Sequence, residues 1–150
     1  MSAVLTQDVG FWDELFANPV ITQAVPAATG ETIYMVLLAL VISIAFGVPL
    51  GVYLWNSGPT GLSTKASAYQ VVGTIVNVAR SLPFVILMVL LLPVTRIVVG
   101  TTLGATASVV PLAIGAIPFL ARLVESALRE VSAGKIEASI VCGASKLQTI

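Results

Sequence analysis

The chain has 150 residues, 57% hydrophobic and only 9% charged, with zero formal net charge and a mean hydropathy of +1.04. A soluble domain carries about a quarter charged residues, so most of this surface meets something other than water, and the neutral balance argues against nucleic acid as a partner. The absence of His and the single Cys142 exclude an internal disulfide framework and leave no His/Cys cluster for a metal, so no cofactor is expected.

At about 20 residues per transmembrane helix, this length accommodates three spans with their flanks. Residues 1–30 contain no Lys or Arg, so the basic n-region of a signal peptide is missing. They carry Asp8, Asp13 and Glu14 around the pairs Phe11/Leu15 and Trp12/Phe16 at i,i+4 spacing. That pattern fits equally a short helix at the membrane surface, its rings at headgroup level, and a frayed tail.

Residues 33–55, "IYMVLLALVISIAFGVPLGVYLW", hold no charge and extend roughly 35 Å as a helix, which predicts the first span. Thr29, Gly30, Glu31 and Thr32 supply cap-type residues before it. The Gly, Pro and Ser content of residues 56–65 predicts a loop.

From Tyr69 to Thr95 two readings compete. A single helix would place Arg80 deep in the bilayer at a cost of about 2.5–3.5 kcal/mol. The preferred reading breaks the segment. Residues 69–79 form an amphipathic interfacial helix with Tyr69, Val72, Val76 and Ala79 on one face and Gln70, Thr74 and Asn77 on the other. Ser81 then caps a new helix with Pro83 in its first turn, and this second span runs past Arg96 to Val99. Arg80 and Arg96 flank it, Arg96 as a snorkelling anchor; Pro93 fits a kink in the span near a gate or, the preferred reading, an interface turn.

The third span is expected over Leu103–Val124, with Pro111 and Pro118 inside it. Gly47/Gly51 in the first span and Gly100/Gly104 at the start of the third both have GxxxG spacing, which allows helices to approach closely. Glu125, one turn past Arg122, is placed for an interfacial ion pair at i,i+3. Basic residues cluster from 122 onward (Arg122, Arg129, Lys135, Lys146), against none in the N-terminal tail. With three spans, the positive-inside rule puts the N-terminus outside and residues 125–150 in the cytoplasm.

The closing stretch "KIEASIVCGASKLQTI" places Ile136, Ile140, Gly143, Leu147 and Ile150 at helical spacing, with Lys135, Ser139, Lys146 and Thr149 on other faces. Amphipathicity by itself fits a helix lying on the membrane somewhat better than one docking into a partner. The spacing shifts that balance: Glu137-Ala138-Ser139, three residues, then Gly143 and Ala144 resembles the E-A-A-x-x-x-G signature of the permease subunits of ABC importers. Ser139 stands where many members have a second Ala. Residues 77–104, which include Arg80-Ser81-Leu82-Pro83, Pro93 and Arg96, and residues 110–131 resemble the matching stretches of D/L-methionine importer permeases.

The resemblance implies an all-α, homodimeric permease of the bacterial inner membrane, with about five transmembrane helices per subunit. Two cytoplasmic P-loop ATPase subunits below and an extracytoplasmic substrate-binding protein above are its implied partners. On that view residues 1–30 are an extracytoplasmic tail and 31–150 an importer transmembrane domain, incomplete at its C-terminus. Glu137, Ala138, Ser139, Gly143 and Ala144 are then the ATPase-coupling residues, while Arg80, Ser81, Pro83, Pro93 and Arg96 carry structural roles; the substrate-binding residues are left unassigned. For Glu137 a solvated helix charge is the alternative; Gly143 allows either close helix approach to the ATPase or a turn between two short helices, and Cys142 is expected to be an inert small residue. The subunit has no phosphate loop of its own, so catalysis is not expected. The rival from another class is a membrane-anchored scaffold whose C-terminal helix recruits a cytoplasmic partner without transport.

Overall fold

The computed structural model describes residues 10–59, 61–63, 65–145 and 148. Its elements are α1 (Phe11–Ala17), a π-helical turn (Val20–Ala24) running directly into α2 (Val25–Ser57), α3 (Ala66–Ser81), α4 (Phe84–Val99), α5 (Ala105–Arg129) and α6 (Ala133–Val141). Among the described residues, two helices are long and apolar enough to cross a membrane, Val20–Ser57 and Ala105–Arg129; the bent pair α3–α4, taken as one span, makes a third.

The first span is longer than the apolar run that predicts it. Thr29 and Thr32 do not cap it. Their hydroxyls donate to the carbonyls of Val25 and Ala28, each 2.8 Å away and one turn back, so the helix passes through them unbroken. With 33 residues, α2 is about 50 Å long, well beyond the roughly 30 Å of bilayer hydrocarbon. The N-terminal residues Trp12 and Phe16 do sit on a helix, and both rings are exposed. The side chains of Phe11 and Leu15 lie outside the described residues.

α2 packs along α5, and residue numbers rise together on the two helices. Ala39 lies with Val109 and Ala113, and Leu54 lies with Ala121. The helices therefore run parallel. Two parallel spans in one chain require a return crossing between them, and only the α3–α4 pair is available for it.

That return path is broken at Leu82–Pro83, where α3 and α4 meet at 108°. The physical cause is Pro83: it disfavours helical backbone at the preceding residue, and Leu82 is extended at ψ 130°. The predicted cap is corrected here. Ser81 belongs to the last turn of α3, its hydroxyl donating to Val78 O at 2.8 Å, and Pro83 itself occupies the N-cap position of α4. Pro93 likewise makes no turn; α4 continues through it to Val99. Alone, the 16 residues of α4 would extend about 24 Å.

The amphipathic face read for α3 is the one the fold buries. Val76 is buried and Tyr69, Val72 and Ala79 are half-buried, while Gln70, Thr74 and Asn77 face outward. The two GxxxG pairs separate cleanly. Gly47 and Gly51 are buried in the α2–α5 seam, where a Cβ on Gly47 would sit 3.1 Å from Leu120 Cβ. Gly100 and Gly104 instead bracket the α4–α5 connection at φ +83° and +100°, with nothing near them. Their spacing serves a turn that a side chain would strain, not close helix packing.

Candidate functional site

The candidate site is the end of α5 together with the segment that follows it. α5 runs one turn beyond Val124, to Arg129, and this extra turn completes a polar cluster. Arg122, Glu125 and Arg129 stand at i, i+3 and i+7, one above the other on a single helix face. Glu125 accepts from Arg122 Nη1 at 2.6 Å and from Arg129 Nη2 at 2.6 Å. Its side chain is only 3% exposed. The i,i+3 pair read from the sequence is therefore present, with a buried carboxylate and with a second arginine.

Both guanidinium groups reach past Glu125 to α3. Arg122 Nη2 donates to Gly73 O at 2.8 Å, and Arg129 Nη2 donates to the Tyr69 hydroxyl at 2.7 Å. Arg129 also stands over the Tyr69 ring, 5.8 Å from its centroid. A carboxylate taken out of solvent is costly unless paired, and two arginines with further acceptors meet that requirement. No sequence motif marks Tyr69, Gly73 or Arg129 as site residues. The signal that could have found them is register: 69 and 73 at i,i+4 on the inner face of an amphipathic helix, and 129 one turn past 125.

Only Glu130, Val131 and Ser132 separate α5 from α6. Among the described residues α6 packs against no other helix, and none of its residues is buried. Glu137 and Ala138 are exposed, and Ile136 is half-buried. Ile140 is 51% and Val141 86% exposed. Ser139 is half-buried, its hydroxyl donating to Ile136 O at 2.8 Å.

The helix stops sooner than the predicted stripe. Gly143 takes φ +83°, Gly143 N donates to Ile140 O at 2.9 Å and Ala144 N donates to Ser139 O at 3.0 Å. This is a Schellman ending, with glycine in the left-handed position that non-glycine residues adopt only with strain. In Glu-Ala-Ser-x-x-x-Gly, Gly143 is thus the helix stop. Of the two readings for Gly143, close helix approach or a turn after a short helix, the described residues have the turn; Lys146, Leu147, Thr149 and Ile150 lie outside the described residues. Cys142 is an exposed free thiol beside that turn.

The other predicted residues lie elsewhere. Arg80, at the end of α3, stands 5.8 Å from the centroid of Phe119 on α5 and borders a cavity of about 440 Å³ at the α3–α4 break, with Leu82, Phe84 and Gly115. Arg96 is exposed in the last turn of α4. Neither Arg80 nor Arg96 joins the cluster around Glu125. Among the described residues no group of His, Cys, Asp and Glu is placed to hold a metal ion.

Residues 47–150 match the model of the family described as "Binding-protein-dependent transport system inner membrane component". The chain is 50% identical over 123 residues to the probable D-methionine transport system permease protein MetI of Vibrio cholerae, an overlap covering 82% of this chain and 55% of that protein. It is 43% identical over 120 residues to the D-methionine transport system permease protein MetI of Escherichia coli, covering 80% and 55%. Among solved structures it resembles a chain of the inward-facing MetNI methionine ABC transporter, with a TM-score of 0.76 at 44% identity, covering 79% of this chain and 55% of that one. The chain thus spans about half the length of the relatives it matches.

Proposed function

The chain belongs to the family of binding-protein-dependent transport system inner membrane components, and on that premise we propose that it is the permease part of an ABC importer for an amino acid of the methionine type. α2, the α3–α4 pair and α5 form part of the path through the membrane. α6 and its Gly143 turn are the handle that a cytoplasmic ATPase grips. The subunit performs no catalysis; ATP is hydrolysed by the partner. A second permease copy completes the pathway, and an extracytoplasmic binding protein delivers the substrate. Residues 1–30 lie outside and residues 125–150 inside, in keeping with the distribution of Lys and Arg.

The observation that carries this reading is the freestanding α6. An amphipathic helix with half or more of Ile140 and Val141 exposed, held three residues from a membrane span, has its apolar side open to a groove on another protein. Glu137 lies on the same short helix, available to a basic residue of that groove. The substrate class rests on the named relatives at 43–50% identity.

Mild-detergent recovery of the protein from its host, with intact masses taken for every component, tests the proposal. The expected result is co-recovery of a P-loop ATPase, lost on Glu137→Lys or Gly143→Trp. A protein that recruits a cytoplasmic partner without nucleotide hydrolysis would be a scaffold instead, and the importer reading would be abandoned.

A further inference from the structure

The cluster around Glu125 joins the helix that leads into α6 to the helix that leads into the α3–α4 break. On α5, Arg122, Glu125 and Arg129 share one face; on α3, Tyr69 and Gly73 share another. The two rungs between them are Arg122 Nη2 to Gly73 O and Arg129 Nη2 to Tyr69 Oη. Among the described residues no hydrogen bond joins Glu125 to either acceptor. Glu125 holds both guanidinium groups, each at 2.6 Å, in the orientation that reaches them.

The surroundings pack one end of α3 into this junction, while its other end leads into the break. Next to the rungs, Leu54 of α2, Val76 of α3 and Ala121 of α5 form a buried apolar cluster with Leu50, Tyr69 and Val72 against it. A Cβ on Gly73 would lie 3.1 Å from Arg122 Nη2, so a side chain there would displace the guanidinium tip. At the far end of α3 the chain passes through extended Leu82–Pro83 into α4, beside the cavity of about 440 Å³. The junction lies directly before the three residues that connect α5 to α6.

We infer that Glu125 is a positioning residue for energy coupling: it orients Arg122 and Arg129 so that a displacement of α6 is delivered to α3 and, through the Leu82–Pro83 break, to α4. This rests on the importer reading above. The coupling element has discrete partners whose loss uncouples rather than unfolds, because the apolar cluster still holds the three helices together. Glu125→Gln keeps shape and one acceptor oxygen but removes the charge that holds two arginines. Tyr69→Phe removes the hydroxyl that accepts from Arg129 and leaves the Arg122–Gly73 rung in place.

The test uses the complete permease–ATPase complex in proteoliposomes with its binding protein, measuring uptake of methionine and ATP hydrolysis together. In Glu125→Gln the uptake per ATP hydrolysed is expected to fall about fivefold, and in Tyr69→Phe about twofold, the scale of couplings carried by packed networks. KM for uptake should stay at the wild-type value in both variants, and the yield of assembled complex should stay there in Tyr69→Phe. Unchanged uptake per ATP in both variants would overturn the inference. So would a fall in complex yield with the ratio preserved, which is the signature of a structural role alone. Should Glu125→Gln fail to assemble, Tyr69→Phe decides by the same ratio. A wild-type complex that takes up no amino acid would instead sink the importer reading, and the inference with it.

Discussion

Gly51 of α2 lies against the carbonyl of Ala121 on α5: a Cβ at position 51 would come within 2.5 Å of that oxygen and 2.7 Å of Val124 Cβ. The two parallel spans meet backbone to side chain here, and neither obstacle is a flexible tip that can step aside. Small residues that let helices approach closely are how membrane helices gain packing energy without a hydrophobic driving force between them.

Gly51→Ala is therefore expected to destabilise the protein by about 1–3 kcal/mol, the range for overpacking a tight interior. Gly30 provides the control, since it sits in the same helix and a methyl group there would meet nothing within 4 Å. Gly30→Ala should stabilise by about 0.5–1 kcal/mol, because glycine loses more backbone freedom than alanine in a helix. Thermal unfolding in detergent measures both; equal midpoints for the two variants would show that the α2–α5 seam is looser than described.

Removing the Glu125 carboxylate altogether should be costlier than trimming it. Glu125→Ala leaves Arg122, whose side chain is 16% exposed, without its counter-charge, and breaking a buried pair from one side costs about 3–5 kcal/mol. The lower end is expected, since Arg129 is 40% exposed and regains solvent at little cost. Combining Glu125→Ala with Arg122→Leu should recover part of the loss. Additive losses in the double variant would mean that the pair is not coupled.

Gly143→Ala places a methyl group on a residue at φ +83°, at a cost of about 1–2 kcal/mol for left-handed backbone. The amides of Gly143 and Ala144 should then exchange faster with solvent, as the α6 ending opens. Retention of the proposed ATPase partner should weaken by up to roughly 5–30-fold, the same energy expressed as affinity. Gly143→Asn, better tolerated in that conformation, should fall between. Wild-type exchange in Gly143→Ala would contradict the assigned turn.

Cys142 is the chain's single cysteine and is exposed, which makes the topology directly readable. A membrane-impermeant maleimide should label it only after the cells are permeabilised. Trp12→Cys in a Cys142→Ser background should be labelled in intact cells, because Trp12 is 68% exposed on the opposite side of an odd number of spans. The reverse pattern would invert the orientation.

What the sequence determined by itself was local and periodic. Uninterrupted apolar runs marked α2 and α5, Pro83 and the expense of burying Arg80 marked the break, and the 3.6-residue period picked the inner face of α3 correctly. Arg122 and Glu125 could be paired because three residues on a helix are always neighbours. Gly47/Gly51 and Gly100/Gly104, by contrast, have identical spacing and opposite uses, since spacing does not say whether another helix lies alongside. Tyr69 and Arg129 are 60 residues apart, and no period connects them. Only the tertiary structure decided that α2 and α5 run parallel and that α3 brings Tyr69 and Gly73 to the face carrying Glu125. A periodic pattern fixes which face of a helix seeks burial; which helix covers that face depends on packing between segments far apart in the chain.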